Sequence, residues 1–205
     1  MEPLLAALAA DPSPLDRSMA VAGIPFTVRG LVPGDRAALI AFLAGLSATS
    51  RRFWHRDTDP ADAAADWVDA IGRTDKLRLV AHPANDPADL AGVVDLSFAL
   101  PDGYEITRYA RYGITLDPAR TARFGPCVAD DWRGLGLAPA LLPPAWDAVR
   151  LLGRDTVVLF GGVRTANQRA VRFYLRAGFA AVGTFTDEAG DGVDMMLELP
   201  PGGLR

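Results

Sequence analysis

Apolar positions along this chain recur at helical spacing in some stretches and at strand spacing in others. Leu4 to Ala10 form a short apolar run that predicts a helix over residues 1–10, and Asp11-Pro12-Ser13-Pro14 breaks it. Phe26 and Val28 alternate with Thr27 and Arg29, which predicts a first strand over 26–32. Pro33-Gly34-Asp35 opens a helix in which Ala38, Leu39, Phe42, Leu43 and Leu46 share one face. Residues 47–55 read as a polar-aromatic elbow. Pro60 stands where a first helical turn tolerates proline, and Trp67, Val68 and Ile71 give the next helix a narrow apolar face. The period then shortens. Strands are predicted over 77–81 and 90–100, joined by the Pro/Asn/Asp turn at 83–87. Residues 104–116 alternate weakly and read as another strand or an excursion. A short strand over 124–128, a helix over 137–152, a buried-type strand over 157–160, a helix over 168–176 and a closing strand pair at 179–185 and 193–199 complete the chain. Helices and strands so interleaved, with no internal repeat or linker, predict one α/β (α+β) domain with a mixed, mostly antiparallel sheet flanked by helices. Residues 1–22 form an N-terminal appendage of short helix and proline-rich turn, and residues 23–205 the domain itself.

Composition narrows the function. The chain has 205 residues, 50% hydrophobic and 22% charged, with a formal net charge of −4. A mildly acidic balance argues against a nucleic-acid partner, which needs concentrated positive charge. The N-terminal run is short and carries Glu2 where an export signal has Lys or Arg. The apolar stretch 135–152 is broken by Pro139, Pro143, Pro144, Asp147 and Arg150, so no membrane segment is expected and a cytoplasmic location is the default. Cys127 is the single cysteine, and His55 and His82 stand apart with no metal-ligand spacing around them; no metal is expected.

Chemistry concentrates between Val128 and Phe179. Arg133-Gly134-Leu135-Gly136-Leu137-Ala138 follows a strand and opens a helix. Glycines there let the backbone approach a ligand closely, and the outward-pointing amides of a helix start receive phosphate oxygens. A dinucleotide site would want G-x-G-x-x-G early in a βαβ unit, whereas Pro139 stands at the third position and the loop comes late, behind antiparallel strands. A nucleoside-triphosphate loop lacks its Gly-Lys-Ser/Thr.

The loop resembles the R/Q-x-x-G-x-G/A signature of the GNAT superfamily of N-acyltransferases. Residues 167–179, from Asn167 through Ala170, Tyr174 and Gly178 to Phe179, resemble the N-x-x-A-x-x-x-Y-x-x-x-G-F segment of the same family. The two motifs stand in the family's order, and the resemblance extends from about Phe26 to Leu199. It implies a GNAT-type fold with splayed central strands, and transfer of an acetyl group from acetyl-CoA to an amine acceptor by direct attack in a ternary complex. It also implies that the amides of Gly134, Leu135, Gly136, Leu137 and Ala138, with Arg133, hold the pyrophosphate. The strand ending at Cys127 and Val128 would pair with the pantetheine arm, Asn167 would bond the same arm, and Tyr174 would protonate the departing thiolate. Arg169 is a candidate for the cofactor's 3′-phosphate, and a homodimer through the closing strands is a family-level expectation. Pro126, which cannot donate within a ladder, fits the family's bulge in that strand.

The chain departs from the family where many members carry Glu on the strand before the loop. That place falls near Arg123, and 124–128 contains no acid. Asp95 and Glu105 are the candidate bases, with water-mediated deprotonation as the alternative, and the missing acid motivates a rival reading as a non-catalytic acyl-CoA-binding module. Pro143-Pro144 should kink or restart the helix behind the loop. Arg51-Arg52-Phe53-Trp54 is the acceptor-side candidate. Simpler readings stand beside these: Asn167 as a helix N-cap, Asp130-Asp131 as a solvated turn, Cys127 as a small core residue, and the arginines of 168–176 as a solvated face.

Overall fold

The computed structural model describes residues 1–54, 58–73, 75–100 and 104–200. In chain order the elements are α1 (Glu2–Ala10), β1 (Arg17–Val21), β2 (Ile24–Gly30), α2 (Arg36–Gly45), α3 (Ala48–Trp54), α4 (Pro60–Asp69), β3 (Lys76–Pro83), β4 (Gly92–Ser97), α5 (Tyr104–Arg111), β5 (Thr121–Val128), α6 (Leu137–Ala140), α7 (Leu142–Leu151), β6 (Thr156–Leu159), β7 (Val163–Arg164), α8 (Gln168–Arg176), β8 (Ala180–Asp187) and β9 (Gly190–Glu198). They group into two compact units. One is Met1–Asp95 with Pro126–Ala148; the other is Leu96–Gly125 with the chain from Val149 on. The pairs β1–β2, β2–β3, β6–β9, β7–β9 and β8–β9 are antiparallel, and β5–β6 is parallel. This is the expected mixed α/β class.

In the first unit, Leu39, Phe42, Leu43 and Leu46 of the α2 segment meet Ala63, Ala64 and Trp67 of α4, Val80 of β3, Val93 of β4 and Cys127 in one buried cluster. The i, i+3, i+4, i+7 stripe of α2 is what makes it a helix and what it buries. Helix α4 starts at Pro60 as expected, with the Asp59 side chain accepting from the amides of Ala61 and Asp62. The N-terminal segment is packed rather than frayed. Leu5 and Leu8 are buried, and with Ala9 and Pro12 they line a crevice against Leu31, Trp67 and Ile71. It also holds a strand the sequence pattern did not announce: Arg17–Val21 is β1, paired residue for residue with Val28 to Ile24.

In the second unit the largest difference from expectation is residues 104–111, which form helix α5 where the pattern suggested another strand or an excursion. Its inward stripe is Glu105, Arg108, Tyr109 and, one turn on, Tyr112. These residues sit at helical spacing, but they are charged or phenolic, so an apolar count does not register them. They are buried through partners. Arg108 donates from Nε and Nη2 to both oxygens of Asp194 on β9 at 2.6 Å each, and Asp194 is fully buried. Tyr109 OH donates to the Met195 carbonyl at 3.0 Å, and Tyr112 OH lies 3.0 Å from the Thr184 carbonyl and 3.1 Å from Asp194 Oδ2.

Candidate active site

The glycine loop belongs to the first unit. After β5 a single 3-10 turn, Asp130–Trp132, leads through Arg133 to Gly134 and Gly136, whose φ values are +81° and +93°. Gly136 is the residue before α6, and a Cβ placed on it would meet nothing within 4 Å. Glycine is required there by backbone conformation, while the space beside it stays open. Gly134, Leu135 and Gly136 are exposed, with Leu135 at 46%. Among the described residues no backbone carbonyl accepts from the amides of Gly134 to Ala138. Five consecutive donors thus have no backbone acceptor at the positive end of a helical turn, which is the chemistry an anionic phosphate needs.

Two anchors hold the loop. Trp132 packs edge-on against Phe26 of β2 with ring centroids 4.8 Å apart. Asp130, read from the sequence as a solvated turn, is instead the centre of a polar clamp. Its carboxylate accepts from the Ser47 amide at 2.7 Å and from the Ser50 hydroxyl at 2.8 Å, and its Oδ1 lies 2.6 Å from Arg133 Nη1. Desolvation opposes its charge, but the Ser47 amide, the Ser50 hydroxyl and the Arg133 guanidinium together hold the carboxyl below the ordinary carboxylate range. Arg133 is therefore engaged as a brace, with Nη2 donating to Ser50 at 2.5 Å. Behind the loop the helix stops at Ala140 and restarts at Leu142, so Pro143 and Pro144 fall in the first turn of α7, where their missing N–H groups leave no bond unmade.

The remaining first-unit candidates are Cys127, Val128 and Asp95. The side chains of Cys127 and Val128 are buried, so the strand end offers its backbone. Burial raises the Cys127 thiol to about 12, which removes it as a nucleophile at neutral pH. Asp95 lies on β4 with Oδ1 3.0 Å from Nε of the buried Arg78. The acceptor-side candidates divide: Arg51 is exposed on α3, whereas the side chains of Arg52, Phe53 and Trp54, and His55 altogether, lie outside the described residues. The 47–55 elbow is itself largely this helix.

The second unit holds the others. The β5–β6 ladder runs from Thr121↔Thr156 to Phe124↔Leu159, and the Phe160 amide still donates to the Phe124 carbonyl. β5 itself continues four residues further, to Val128. Tyr174 on α8 is half-buried, with its ring edge-on to Phe124 at 6.4 Å and to Phe179 at 5.4 Å between centroids. Asn167 is the N-cap of α8: its Oδ1 accepts from the Ala170 amide at 3.1 Å, which leaves its NH₂ group to donate elsewhere. Arg169 is exposed on the first turn. Glu105 reaches from α5 to Arg123 of β5, accepting from Nη2 at 2.8 Å, and the same Oε1 accepts from the Gly161 amide at 2.6 Å. Gly161-Gly162, both at positive φ, form the turn that presents that amide. Sequence reasoning missed the Asp130 clamp and the Glu105–Arg123 pair, both joined across long sequence separations.

The family model described as Acetyltransferase (GNAT) family matches residues 51–179. The chain belongs to the GNAT acetyltransferase family. Solved structures with the same fold include the GNAT domain of S. lividans PAT, with a TM-score of 0.72 at 21% identity over 92% of this chain and 99% of that one. The aminoglycoside acetyltransferase AAC(6′)-Ib in complex with coenzyme A gives 0.65 at 20% identity, over 84% and 94%. The ribosomal-protein-S5-alanine acetyltransferase from Vibrio fischeri gives 0.67 at 11% identity, over 89% and 96%. A search of curated proteins returns no match. The fold class, open and mostly antiparallel with flanking helices, agrees with these GNAT neighbours. Among the described residues of this GNAT chain no group of three or more His, Cys, Asp or Glu is arranged to hold a metal, and no helix is long and apolar enough to cross a membrane.

Proposed function

We propose that this GNAT chain transfers an acetyl group from acetyl-CoA to a primary amine by direct attack in a ternary complex. The observation that carries the reading is the row of unpartnered amides from Gly134 to Ala138 beside the open space at Gly136. The donor set fits a diphosphate: several N–H groups, no side chain in the way, and a helical turn whose dipole favours negative charge. Arg133 serves by fixing the loop through Asp130 and Ser50. The strand end at Cys127 and Val128 would offer backbone groups to the pantetheine amides, Asn167 its free NH₂, and Arg169 a guanidinium to the 3′-phosphate. Acetyl-CoA supplies the activated acyl group. The half-buried phenol of Tyr174 holds the proton needed by the leaving sulfur. Residues 1–22 are an appendage that packs on the 23–205 acyltransferase domain, and a homodimer is the family-level expectation.

Calorimetry tests the reading. Acetyl-CoA and CoA are expected to bind the native chain, and Gly136→Glu, which forces a charged side chain onto a positive-φ position at the phosphate site, is expected to abolish binding. Tyr174→Phe is expected to keep CoA affinity and lower turnover at least tenfold. No heat at millimolar CoA, or full affinity in Gly136→Glu, contradicts the assignment.

A further inference from the structure

The glycine loop and the short helix α3 meet at one hydroxyl. Ser50 is 3% exposed, and among the described side chains of α3 it alone is buried. Its Oγ lies 2.8 Å and 3.0 Å from the two carboxylate oxygens of Asp130 and 2.8 Å from Ser47 Oγ, and it accepts from Arg133 Nη2 at 2.5 Å. A hydroxyl has one proton to give and two lone pairs to fill, and these three neighbours take them all. The other contacts repeat the link. Asp130 Oδ2 accepts from the Ser47 amide at 2.7 Å, and Asp130 Oδ1 lies 2.6 Å from Arg133 Nη1. Ser47 Oγ accepts from the Ser50 amide at 3.3 Å, as a helix N-cap does. All four residues belong to the first compact unit. On the loop side, Arg133 stands one residue before Gly134, and Gly134 and Gly136 are held at positive φ. Glycine has the most backbone freedom to lose, so the cost of ordering 134–138 weakens ligand binding unless the order exists beforehand. On the helix side, α3 has seven residues, too few to be stable as a helix by itself. Its first turn is fixed by Asp130.

We propose that Ser50, with Ser47 and Asp130, is a positioning residue for acetyl-CoA binding that acts through Arg133, and that occupation of the phosphate loop and the helical order of α3 are one coupled equilibrium. The proposal rests on the acetyl-CoA reading of the loop. None of these three residues carries one of the five loop amides; they set how much of the loop's order exists before the ligand arrives. A diphosphate that fixes Gly134 to Ala138 also steadies Arg133. The Arg133 guanidinium holds the Ser50 hydroxyl and the Asp130 carboxylate, and these hold the first turn of α3. Linkage then runs both ways: the factor by which CoA favours an ordered α3 is the factor by which an ordered α3 favours CoA. Loss of the clamp therefore weakens CoA binding with every amide of the loop still in the chain.

The experiment follows amide hydrogen exchange in the full ¹⁵N-labelled chain with and without saturating CoA, beside calorimetry of CoA binding. CoA is expected to slow exchange at the amides of residues 51–54 about tenfold, while the amides of residues 64–69 in α4, which has no share in the clamp, keep their free rates. Ser50→Ala is expected to bind CoA about tenfold more weakly and to lose the slowing at 51–54, and Asp130→Asn to do the same. A role in stability alone would lower the urea midpoint and leave the ligand-dependent slowing in place. Should Ser50→Ala fail to fold, Ser47→Ala, at an exposed position, takes its place, with the same two losses at smaller size. The proposal is overturned by native CoA affinity in a folded Ser50→Ala chain. It is equally overturned by residues 51–54 exchanging at their free rate in the CoA-saturated native chain, or by equal slowing in α4, which is global stabilisation. If the native chain binds no CoA at millimolar concentration, the acetyl-CoA reading falls and the proposal with it; a native chain that binds CoA while Ser50→Ala and Ser47→Ala bind it equally well removes the proposal alone.

Discussion

Cys127 and Asp194 show how burial decides what a reactive group can do. Cys127 is surrounded by the α2–α4 cluster, and desolvation pushes its thiol up to about 12. Against an ordinary thiol near 8.5, this is a loss of about three orders of magnitude in thiolate at any pH below both values. Iodoacetamide at pH 8 is therefore expected to label the native chain about a thousandfold more slowly than the urea-unfolded chain; equal rates would place the thiol in solvent. Asp194 pairs with Arg108 at 2.6 Å with no solvent exposure at all. Removing one member of such a pair leaves the other charged and alone, at a cost of about 3–5 kcal/mol. Asp194→Asn is expected to lower the urea midpoint accordingly, and a change under 1 kcal/mol would mean that water replaces the pair.

The polar clamp and helix α5 belong to the scale of elements. Asp130 ties the loop after β5 to the start of α3, and its carboxyl sits below the usual carboxylate range, so the clamp stabilises the fold above the unfolded value near 3.9. That contribution is lost as pH falls through the lower, folded value. The acid limb of a thermal-melting profile is thus expected to flatten below about pH 4 in Asp130→Asn; a limb identical to the native one would show that the clamp does not form. Helix α5 docks on β8 through Tyr112, whose ring occupies the place where Gly183 has no side chain. A Cβ at Gly183 would lie 2.3 Å from that ring. Gly183→Ala is expected to cost about 1–3 kcal/mol, read by the same urea midpoint. These two elements also mark the limit of sequence reading. Helices α2 and α4 and strand β2 were legible because their buried faces are apolar and repeat at 3.6 or 2 residues. Helix α5 was not, because its buried face is Glu105, Arg108, Tyr109 and Tyr112, and the partners that make burial tolerable lie some 18 to 86 residues away in the chain. β1 escaped for a related reason: of Arg17–Val21 only Val21 is buried, so no alternation advertises it. The glycine loop and the Asn167–Phe179 segment were legible as motifs. The Asp130–Ser47–Ser50 clamp, which holds the first of them, required long-range pairing that no local pattern encodes.

At the scale of the whole molecule, the proposed acetyl-CoA site rests on one short stretch of backbone. Residues 134–138 lead into and begin α6, and none of their amides is taken by a backbone carbonyl among the described residues. The direct measurement is a titration of the ¹⁵N-labelled chain with CoA, followed at the backbone amides. The amides of Gly134, Leu135, Gly136, Leu137 and Ala138 are predicted to shift together, saturate with the calorimetric affinity and slow in hydrogen exchange. A chain that saturates with CoA while those five signals stay where they were would contradict the account.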